Sequence, residues 1–253
     1  MERISTLDLT LGQLPEEGMT AMQACMLGPF LQGLLMESIE TEYAGRLHAL
    51  PFNPYSSRCT LAHHGKALDW RVTALTEEAA EQIIEPLRAL GSVTLRATGK
   101  TFPVLDAKVT STSTEELTGL IRDEGSTKAR VCFVTPTAFK RAGSYVFIPN
   151  VRLMFQNLLM HYYQVYEGSN EVDQETLSYI DQNVVIASYN LRSQYFGHAA
   201  GEGRKIPAFV GTVSLRVRGP QPLAGLVRML LRFGELAGIG IKTAMGMGGM
   251  KCL

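Results

Sequence analysis

The order of strand and helix patterns limits the folds that this chain can adopt more than any single motif does. Four segments among residues 1–98 have the apolar content and alternation of β-strands, and two have apolar residues at helical spacing. They follow one another as β-α-β-β-α-β, the order of a ferredoxin-like domain. The strands are predicted over residues 1–11, 59–63, 68–75 and 92–98, and the helices over residues 20–43 and after a capping threonine, Thr76.

The second half repeats this order. Strands are predicted over residues 130–135, 184–196, 208–217 and the end of 239–253, helices over 151–166 and from Pro222, and a hairpin within 135–150. Ser, Thr, Asp and Glu collect over residues 113–126, which predicts a domain boundary there. We therefore predict an α+β fold of two tandem ferredoxin-like (RRM-like) domains, residues 1–120 and 121–253.

A net charge of zero hides an asymmetry between the halves. Residues 1–125 contain 10 Lys and Arg against 17 Asp and Glu, whereas residues 126–253 contain 14 against 7. From residue 183 onward there are nine basic side chains and two acidic ones. Such a basic C-terminal half is typical of proteins that bind a polyanion, and a merely solvated basic surface is the alternative.

The cysteines and the apolar segments indicate the class of protein. The four cysteines are far apart and include no CxxC pair, so we expect small buried residues rather than a zinc cluster or a disulfide framework. A reducing cytoplasm fits this usage. No apolar run of about 18 residues predicts a transmembrane helix, and residues 1–14 lack the basic start and apolar run of a secretory signal.

The most specific motif is the glycine-rich segment GELAGIGIKTAMGMGGM at residues 234–250. Glycine accepts positive φ and close backbone approach, and bare N–H groups beside Lys242 suit phosphate or sugar contacts. A nucleotide-binding P-loop is the competing interpretation. It is disfavoured because Ile241 separates Gly240 from Lys242 and because the predicted order is helix, loop, strand.

The pattern GxGxKTxxGxG over residues 238–248 resembles the glycine-rich loop of CRISPR-associated repeat-processing endoribonucleases of the RAMP superfamily. Thr135-Pro136-Thr137 is similar to the opening of that family's second domain, and residues 30–34 resemble its first helix. The resemblance implies two ferredoxin-like domains. It also implies a metal-independent cut within the repeat of a CRISPR precursor transcript, giving guide RNAs with a short repeat-derived 5′ handle and requiring no cofactor.

Metal-free RNA cleavage uses the 2′-OH of the RNA as nucleophile and needs a base, an acid and stabilisation of the developing charge. Histidine suits either proton role. The family resemblance places a histidine after the first helix and before the second strand, which is the place of His48. Some family members have a tyrosine on the first helix, but the matching position here is Met36, which cannot transfer a proton. Tyr43 lies further along and is the candidate for this second catalytic group. Arg58 or Lys66 is a candidate for charge stabilisation.

The remaining histidines are given other roles. His63 and His64 would point to opposite faces of a strand, which disfavours a shared metal, and one of them is a candidate RNA contact near Lys66. His161 lies among apolar residues of a predicted helix and is expected to be packed there or exposed. His198 lies in a basic connector, where Tyr195 is a candidate for stacking on a base.

The predicted RNA-binding residues are basic side chains of the second half and members of the glycine-rich segment. Arg216 and Arg218 alternate on a strand and should share one face. A solvated hairpin or connector is the alternative for the exposed cations. The residues are Lys140, Arg141, Arg192, His198, Arg204, Lys205, Arg216, Arg218, Gly238, Gly240, Lys242, Thr243, Gly246 and Gly248.

The sequence thus predicts an endoribonuclease that binds CRISPR repeat RNA and leaves 2′,3′-cyclic phosphate and 5′-OH ends. It predicts a monomer or homodimer with no membrane partner, and other CRISPR-associated effector subunits are candidate partners. One alternative is a non-catalytic guide-RNA-binding scaffold of the same superfamily. The other is a metabolic enzyme or ligand-binding module with a ferredoxin-like fold, because fold alone does not determine function.

Overall fold

Strand β1 (Arg3–Leu11) lies in the middle of an antiparallel five-stranded sheet. The computed structural model describes residues 3–12, 14, 18–50, 52–197 and 205–253. Leu7, Leu9 and Leu11 are fully buried, because alternate side chains of a strand point to one face and this face carries the helices. The other strands are β2 (Tyr55–Ala62), β3 (Ala67–Ala74), β4 (Ser92–Leu95) and β5 (Lys100–Ser113), and the spatial order is β2-β3-β1-β5-β4.

The fourth ferredoxin-like strand of this half is β5, which pairs directly with β1. The prediction of that strand over residues 92–98 was wrong, because β4 is a short edge strand that pairs only with β5. The turn between β4 and β5 contains Gly99 at φ 66°. The strand prediction therefore found the first arm of a hairpin and missed the longer second arm.

Three short helices take the place of the single helix predicted over residues 20–43. They are α1 (Ala21–Cys25), α2 (Gly28–Ser38) and α3 (Thr41–Ala49). Pro29 lies in the first turn of α2, where its missing N–H costs no helical hydrogen bond. Ile39 follows α2 in an extended conformation at φ −104° and ψ 166°, which ends that helix. The prediction failed because the apolar residues keep helical spacing across both breaks.

The second helical region of this half begins as predicted. The Thr76 side chain accepts the N–H of Ala79 at 3.2 Å, which caps α4 (Glu77–Ala79). A π-helical turn over Ala80–Ile84 continues into α5 (Glu85–Arg88).

A helix that was not predicted occupies the expected boundary segment. In α6 (Thr114–Arg122), the Ser113 side chain accepts the N–H of Glu116 at 3.2 Å, and the Glu116 carboxylate accepts the N–H of Ser113 at 2.7 Å. This capping box explains the Ser, Thr and Glu content that was interpreted as a boundary. A division of the chain at residue 120 stays a prediction.

The second half forms a four-stranded antiparallel sheet with helices against it. Its short hairpin is β7 (Phe139–Arg141) and β8 (Ser144–Val146), as predicted. The helices are α7 (Val151–Glu167), α8 (Gln174–Asn183) and α9 (Gln221–Ala237), of which α8 was not predicted. The sheet strands are β6 (Lys128–Thr137), β9 (Val184–Phe196), β10 (Ile206–Val217) and β11 (Met250–Cys252), in the order β11-β6-β10-β9.

Both halves therefore have the antiparallel β-α-β-β-α-β arrangement that was predicted, and each has an apolar core built mainly from its own residues. A smaller apolar cluster joins β10 to the glycine-rich segment through Ala208 and Met247, with Met26 of the first half packed against it. Among the described residues, no helix is both long and apolar enough to cross a membrane.

Candidate functional site

The glycine-rich segment runs from the end of α9 to β11 and makes backbone contacts that only glycine permits. Gly240 has φ 88°, and a Cβ there would overlap the carbonyl oxygen of Ala138. Gly248 has φ 73°, and a Cβ there would overlap the carbonyl oxygen of Ile239. The segment is therefore packed closely against itself and against Ala138, which connects β6 to β7.

Most of this segment does not offer open N–H groups, contrary to the sequence-based expectation. Gly238 donates its N–H to Gly234 at 2.9 Å, and Gly248 donates to Pro136 at 2.9 Å. Gly240 donates to the Asn157 side chain at 2.6 Å. Gly246 and Thr243 are buried as well. The prediction of free N–H groups was therefore wrong for Gly238, Gly240 and Gly248. Contact between the segment and RNA stays a prediction.

Lys242 differs from these residues because its side chain offers a group that can bind a ligand. It is half-buried and adopts a left-handed conformation at φ 55°, and its ammonium lies 3.5 Å from the Met245 sulfur. Thioether sulfur is a weak acceptor, so this ammonium remains available to a stronger one.

A cavity of about 510 Å³ opens where the two halves meet beside this segment. Residues of the first half, of α7 and of the glycine-rich segment all contribute to its walls. Its lining is Gln32, Phe52, Asn53, Asn157, Met160, His161, Asn170, Gly240, Ile241, Lys242, Thr243, Ala244 and Met245.

His161 is buried in the wall of this cavity. Its ring centroid lies 4.6 Å from that of Phe52, and its Nε2 is 3.3 Å from the side-chain nitrogen of Asn157. Burial lowers the pKa of His161 to about 4, so the imidazole is neutral at pH 7. Of the packed and surface roles that the sequence left open for His161, the structure shows the packed one.

His48 lies in the last turn of α3 and is exposed. It precedes by four positions Phe52, which borders the cavity. The flanking loop predicted around His48 begins only at Leu50, where the backbone becomes extended. A helical position with an open side chain allows His48 to meet a polymeric ligand.

Tyr43 lies on the same helix but points into the core. Its side chain is 3% exposed, and its hydroxyl has no hydrogen-bond partner among the described residues. Burial, and secondarily the nearby Glu78 carboxylate, raises the pKa of Tyr43 to about 12. Arg46 lies 5.1 Å above its ring and opposes this rise. Tyr43 is therefore a weaker acid than an ordinary tyrosine.

Arg58 is buried, at 7% exposure, and its predicted role in stabilising the charge of the reaction stays a prediction. Its Nη1 donates to the carbonyl oxygens of Glu235 and Met250, at 3.3 Å each. Burial lowers the pKa of Arg58 to about 10, so it still carries its charge at pH 7. Lys66 is exposed in the turn between β2 and β3. Arg58 is thus internal, whereas His48 and Lys66 are open to solvent.

The basic residues of the second half are arranged on its surface. Lys140, Arg141, Arg192 and Lys205 are exposed, whereas His198 and Arg204 lie outside the described residues. Arg216 and Arg218 are exposed with the buried Val217 between them, so they share a face as predicted.

A cationic stripe crosses strands β6 and β10 and consists of Lys128, Arg130 and Arg216. Lys128 is the cross-strand neighbour of Arg216, and the three residues line a surface depression of about 360 Å³. Within the part of the chain that the structure describes, none of the three has an ion-pair partner. Like charges placed side by side on a sheet repel, and a bound polyanion relieves this repulsion.

Known proteins resemble this chain in sequence and in fold. The family model described as CRISPR-associated endoribonuclease Cas6 matches residues 131–250. A CRISPR-associated endoribonuclease Cas6 of Mycobacterium tuberculosis is 37% identical over 99% of this chain and 78% of its own length. The chain belongs to the Cas6 family. The resemblance inferred from the glycine-rich motif is confirmed.

Other Cas6 proteins extend the match. A Cas6 endoribonuclease of Streptococcus thermophilus is 33% identical over 87% of this chain and 88% of its own length. A solved Cas6 product complex has a TM-score of 0.76 at 24% identity and covers 99% of both chains. Thermus thermophilus Cas6 has a TM-score of 0.67 at 22% identity, covering 100% of this chain and 99% of its own. At these identities the structures establish the shared fold.

The sequence-based reasoning on this member of the Cas6 family missed Phe52, Asn53 and Asn157. Asn157 and His161 lie one helical turn apart on α7 among apolar residues, and this polar pair on an apolar face was the available signal. No comparable signal marks Phe52 or Asn53. In the described part of the chain, no group of three or more His, Cys, Asp or Glu is placed to hold a metal ion.

Proposed function

We propose that this chain cuts CRISPR precursor RNA within the repeat without a metal ion and leaves 2′,3′-cyclic phosphate and 5′-OH ends. The observation that carries the proposal is the 37% identity to a CRISPR-associated endoribonuclease over nearly the whole chain. The exposed position of His48 supports it, since a catalytic group must reach the RNA backbone.

The chemistry balances with groups that RNA and the chain supply. The 2′-oxygen attacks the adjacent phosphorus and loses its proton to a base, and the bond from phosphorus to the 5′-oxygen breaks. That oxygen takes up a proton as it leaves. His48 serves as the base or the acid, because imidazole exchanges protons near neutral pH. Lys66 and Lys242 are the proposed cations for the negative charge that develops on the phosphoryl oxygens.

Binding is proposed to rest on the second half. Positive charge comes from the stripe of Lys128, Arg130 and Arg216 and from Lys140 and Arg141 on the β7–β8 hairpin, none of which has an ion-pair partner among the described residues. Phosphate contacts of this kind position RNA without reading its sequence. We further propose that the chain acts in the cytoplasm as a monomer or homodimer, with other CRISPR-associated effector subunits as candidate partners.

The non-catalytic scaffold is a second candidate function, favoured by one observation. Of the four predicted catalytic side chains, Tyr43 and Arg58 are buried, so only His48 and Lys66 are open to RNA. A scaffold would bind repeat RNA as tightly as an enzyme and would leave it intact.

The test incubates the purified protein in EDTA with repeat RNA from its own genome. We expect a single internal cut with a 2′,3′-cyclic phosphate, slowed by about 10²–10⁴-fold in His48→Ala with RNA affinity unchanged. Glu42→Ala is the matched control, because Glu42 is also exposed on α3 and has no proposed role in catalysis or RNA binding.

Three other outcomes are informative. Tight binding without a cut in the wild type would favour the scaffold. A cut that EDTA abolishes would contradict the metal-free mechanism. Absence of binding would remove repeat RNA as the ligand.

A further inference from the structure

We propose that the cavity between the two halves takes one unpaired base of the RNA, and that Asn53 recognises this base through its side-chain amide. The inference rests on the proposed function and specifies how the same protein selects its RNA. Phosphate contacts along the basic half cannot supply such selection, because they carry no sequence information.

The first step is that the side-chain amide of Asn53 is available to form hydrogen bonds with a base. It lines the cavity, is half-buried, and has no hydrogen-bond partner among the described residues. A carboxamide presents a donor and an acceptor side by side and can match the edge of a base with two hydrogen bonds. A half-buried amide without a hydrogen-bond partner is stabilised most by a ligand that offers both an acceptor and a donor.

The second step concerns the opposite wall. The Gly240 N–H donates to the Asn157 side-chain oxygen at 2.6 Å, so the other end of that amide must be its NH₂ group. This NH₂ lies 3.3 Å from His161 Nε2 and 3.5 Å from the Gly240 carbonyl oxygen. Because the NH₂ group donates, the neutral imidazole must accept at Nε2 and carry its own proton on Nδ1.

The third step follows from that proton. His161 Nδ1 is buried and has no partner in the described part of the chain, so the fold holds a fixed donor without an acceptor. Phe52 packs against this ring and neighbours Asn53 in sequence. A base that enters beside Phe52 brings a flat ring for stacking and a carbonyl or ring-nitrogen acceptor for the imidazole, once the Phe52 ring shifts.

The fourth step favours a base over a phosphate as the occupant. Asn53, Asn157 and His161 are all uncharged at pH 7, and burial opposes a charge on the imidazole. Burial of a phosphate against neutral groups is costly, whereas a base is neutral and has polar edges. Lys242 lies on the same cavity wall and can meet the phosphate that follows the base. The volume of about 510 Å³ lies within the usual range for small-ligand sites.

The experiment measures binding of repeat RNA made uncleavable by a 2′-deoxy nucleotide at the cut site. A series of RNAs carries one abasic nucleotide at each unpaired position. We expect one position at which base removal weakens wild-type binding by about tenfold. Asn53→Leu should weaken binding of intact RNA by a similar factor. At that one position, base removal should then weaken binding by the variant no further, because the substitution and the abasic nucleotide remove the same interaction.

Controls separate the possible explanations. Asn190→Leu removes an exposed carboxamide outside the cavity and should keep the tenfold effect. Asn53→Ser supplies a second variant if the leucine variant does not fold. A flat abasic profile with tight wild-type binding would overturn the base site and leave the proposed function intact. If an uncharged methylphosphonate at one position weakens binding and no abasic nucleotide does, the cavity binds a phosphate, and the proposed base site is also overturned. If the wild type binds no repeat RNA, the proposed function fails and this inference fails with it.

Discussion

Gly28 and Gly246 bring the backbone of α2 against the glycine-rich segment: a Cβ on Gly28 would lie 2.9 Å from the Cα of Gly246. Gly28 begins a helix in the first half, and Gly246 lies in the second half. The two halves therefore meet through main chain at this point, with no side chain between them.

Gly28→Ala tests this contact. The added methyl group must push α2 away from the glycine-rich segment, and overpacking of this kind costs about 1–3 kcal/mol of the free energy of unfolding. Gly33→Ala is the control on the same helix, because nothing lies within 4 Å of a Cβ there. Urea unfolding should show a loss for Gly28→Ala and no loss, or a small gain, for Gly33→Ala. Equal stabilities for the two variants would contradict the close contact.

Arg58→Met tests whether Arg58 serves structure or chemistry. The substitution removes the donor that the half-buried Glu235 carbonyl and the buried Met250 carbonyl share, which should cost about 2 kcal/mol in the free energy of unfolding. Lys66→Met, at an exposed position, should change that free energy by less than about 0.5 kcal/mol. Urea unfolding at pH 7 measures both. A stable Arg58→Met protein that binds RNA but no longer cuts it would restore Arg58 as a catalytic residue.

His161 should make stability depend on pH. Its pKa is about 4 in the folded chain and ordinarily 6.5, so below pH 6.5 the unfolded chain takes up a proton that the folded chain refuses. The free energy of unfolding therefore falls as the pH drops from about 6.5 towards 4, with this residue contributing about 2 kcal/mol by pH 5. In His161→Phe, urea unfolding at pH 7 and pH 5 should differ less than in the wild type. An unchanged difference would show that His161 is not buried in its neutral form.

Arg216→Ala should weaken the salt dependence of RNA binding. Each phosphate contact contributes about 0.7–0.9 to the slope of log affinity against log salt concentration, and Arg216 belongs to an unpaired cationic stripe. Titrations between low and moderate salt should give a slope smaller by about this amount. Arg96→Ala is the control, since Arg96 lies in the acidic half and pairs with Glu37 at 3.1 Å. A reduced slope for Arg96→Ala and not for Arg216→Ala would move the RNA surface to the first half.

The fold was accessible from sequence because its signals are local. Strand alternation predicted β1 and β9 closely, and the Thr76 cap marked the start of α4. Residues 20–43 were misassigned because apolar spacing continues through Pro29 and Ile39, and periodicity does not report a change of helix axis. The capping box at Ser113 was interpreted as a boundary because helix starts and loops use the same polar residues.

The site was less accessible because its relationships join distant segments. Arg58 resembles a surface cation in sequence, and only its neighbours Glu235 and Met250 show that it is internal. The cavity likewise combines Asn53 with His161 and Lys242, which no spacing rule connects. The glycine-rich motif identified the right segment, but its packing role at Gly240 depends on Asn157, more than 80 positions away.

The hydrogen bond between Arg58 and Met250 has a consequence for the order of assembly during synthesis. Its two partners are 192 residues apart, which at about 5–20 residues per second corresponds to roughly 10–40 s of elongation. Once β5 has been synthesised, the strands of the first half can pair, yet the Arg58 guanidinium still lacks both of its carbonyl acceptors, those of Glu235 and Met250. The nascent first half therefore waits with a charged surface where the finished protein has an interior, and β11 closes that surface only after emerging from the ribosome.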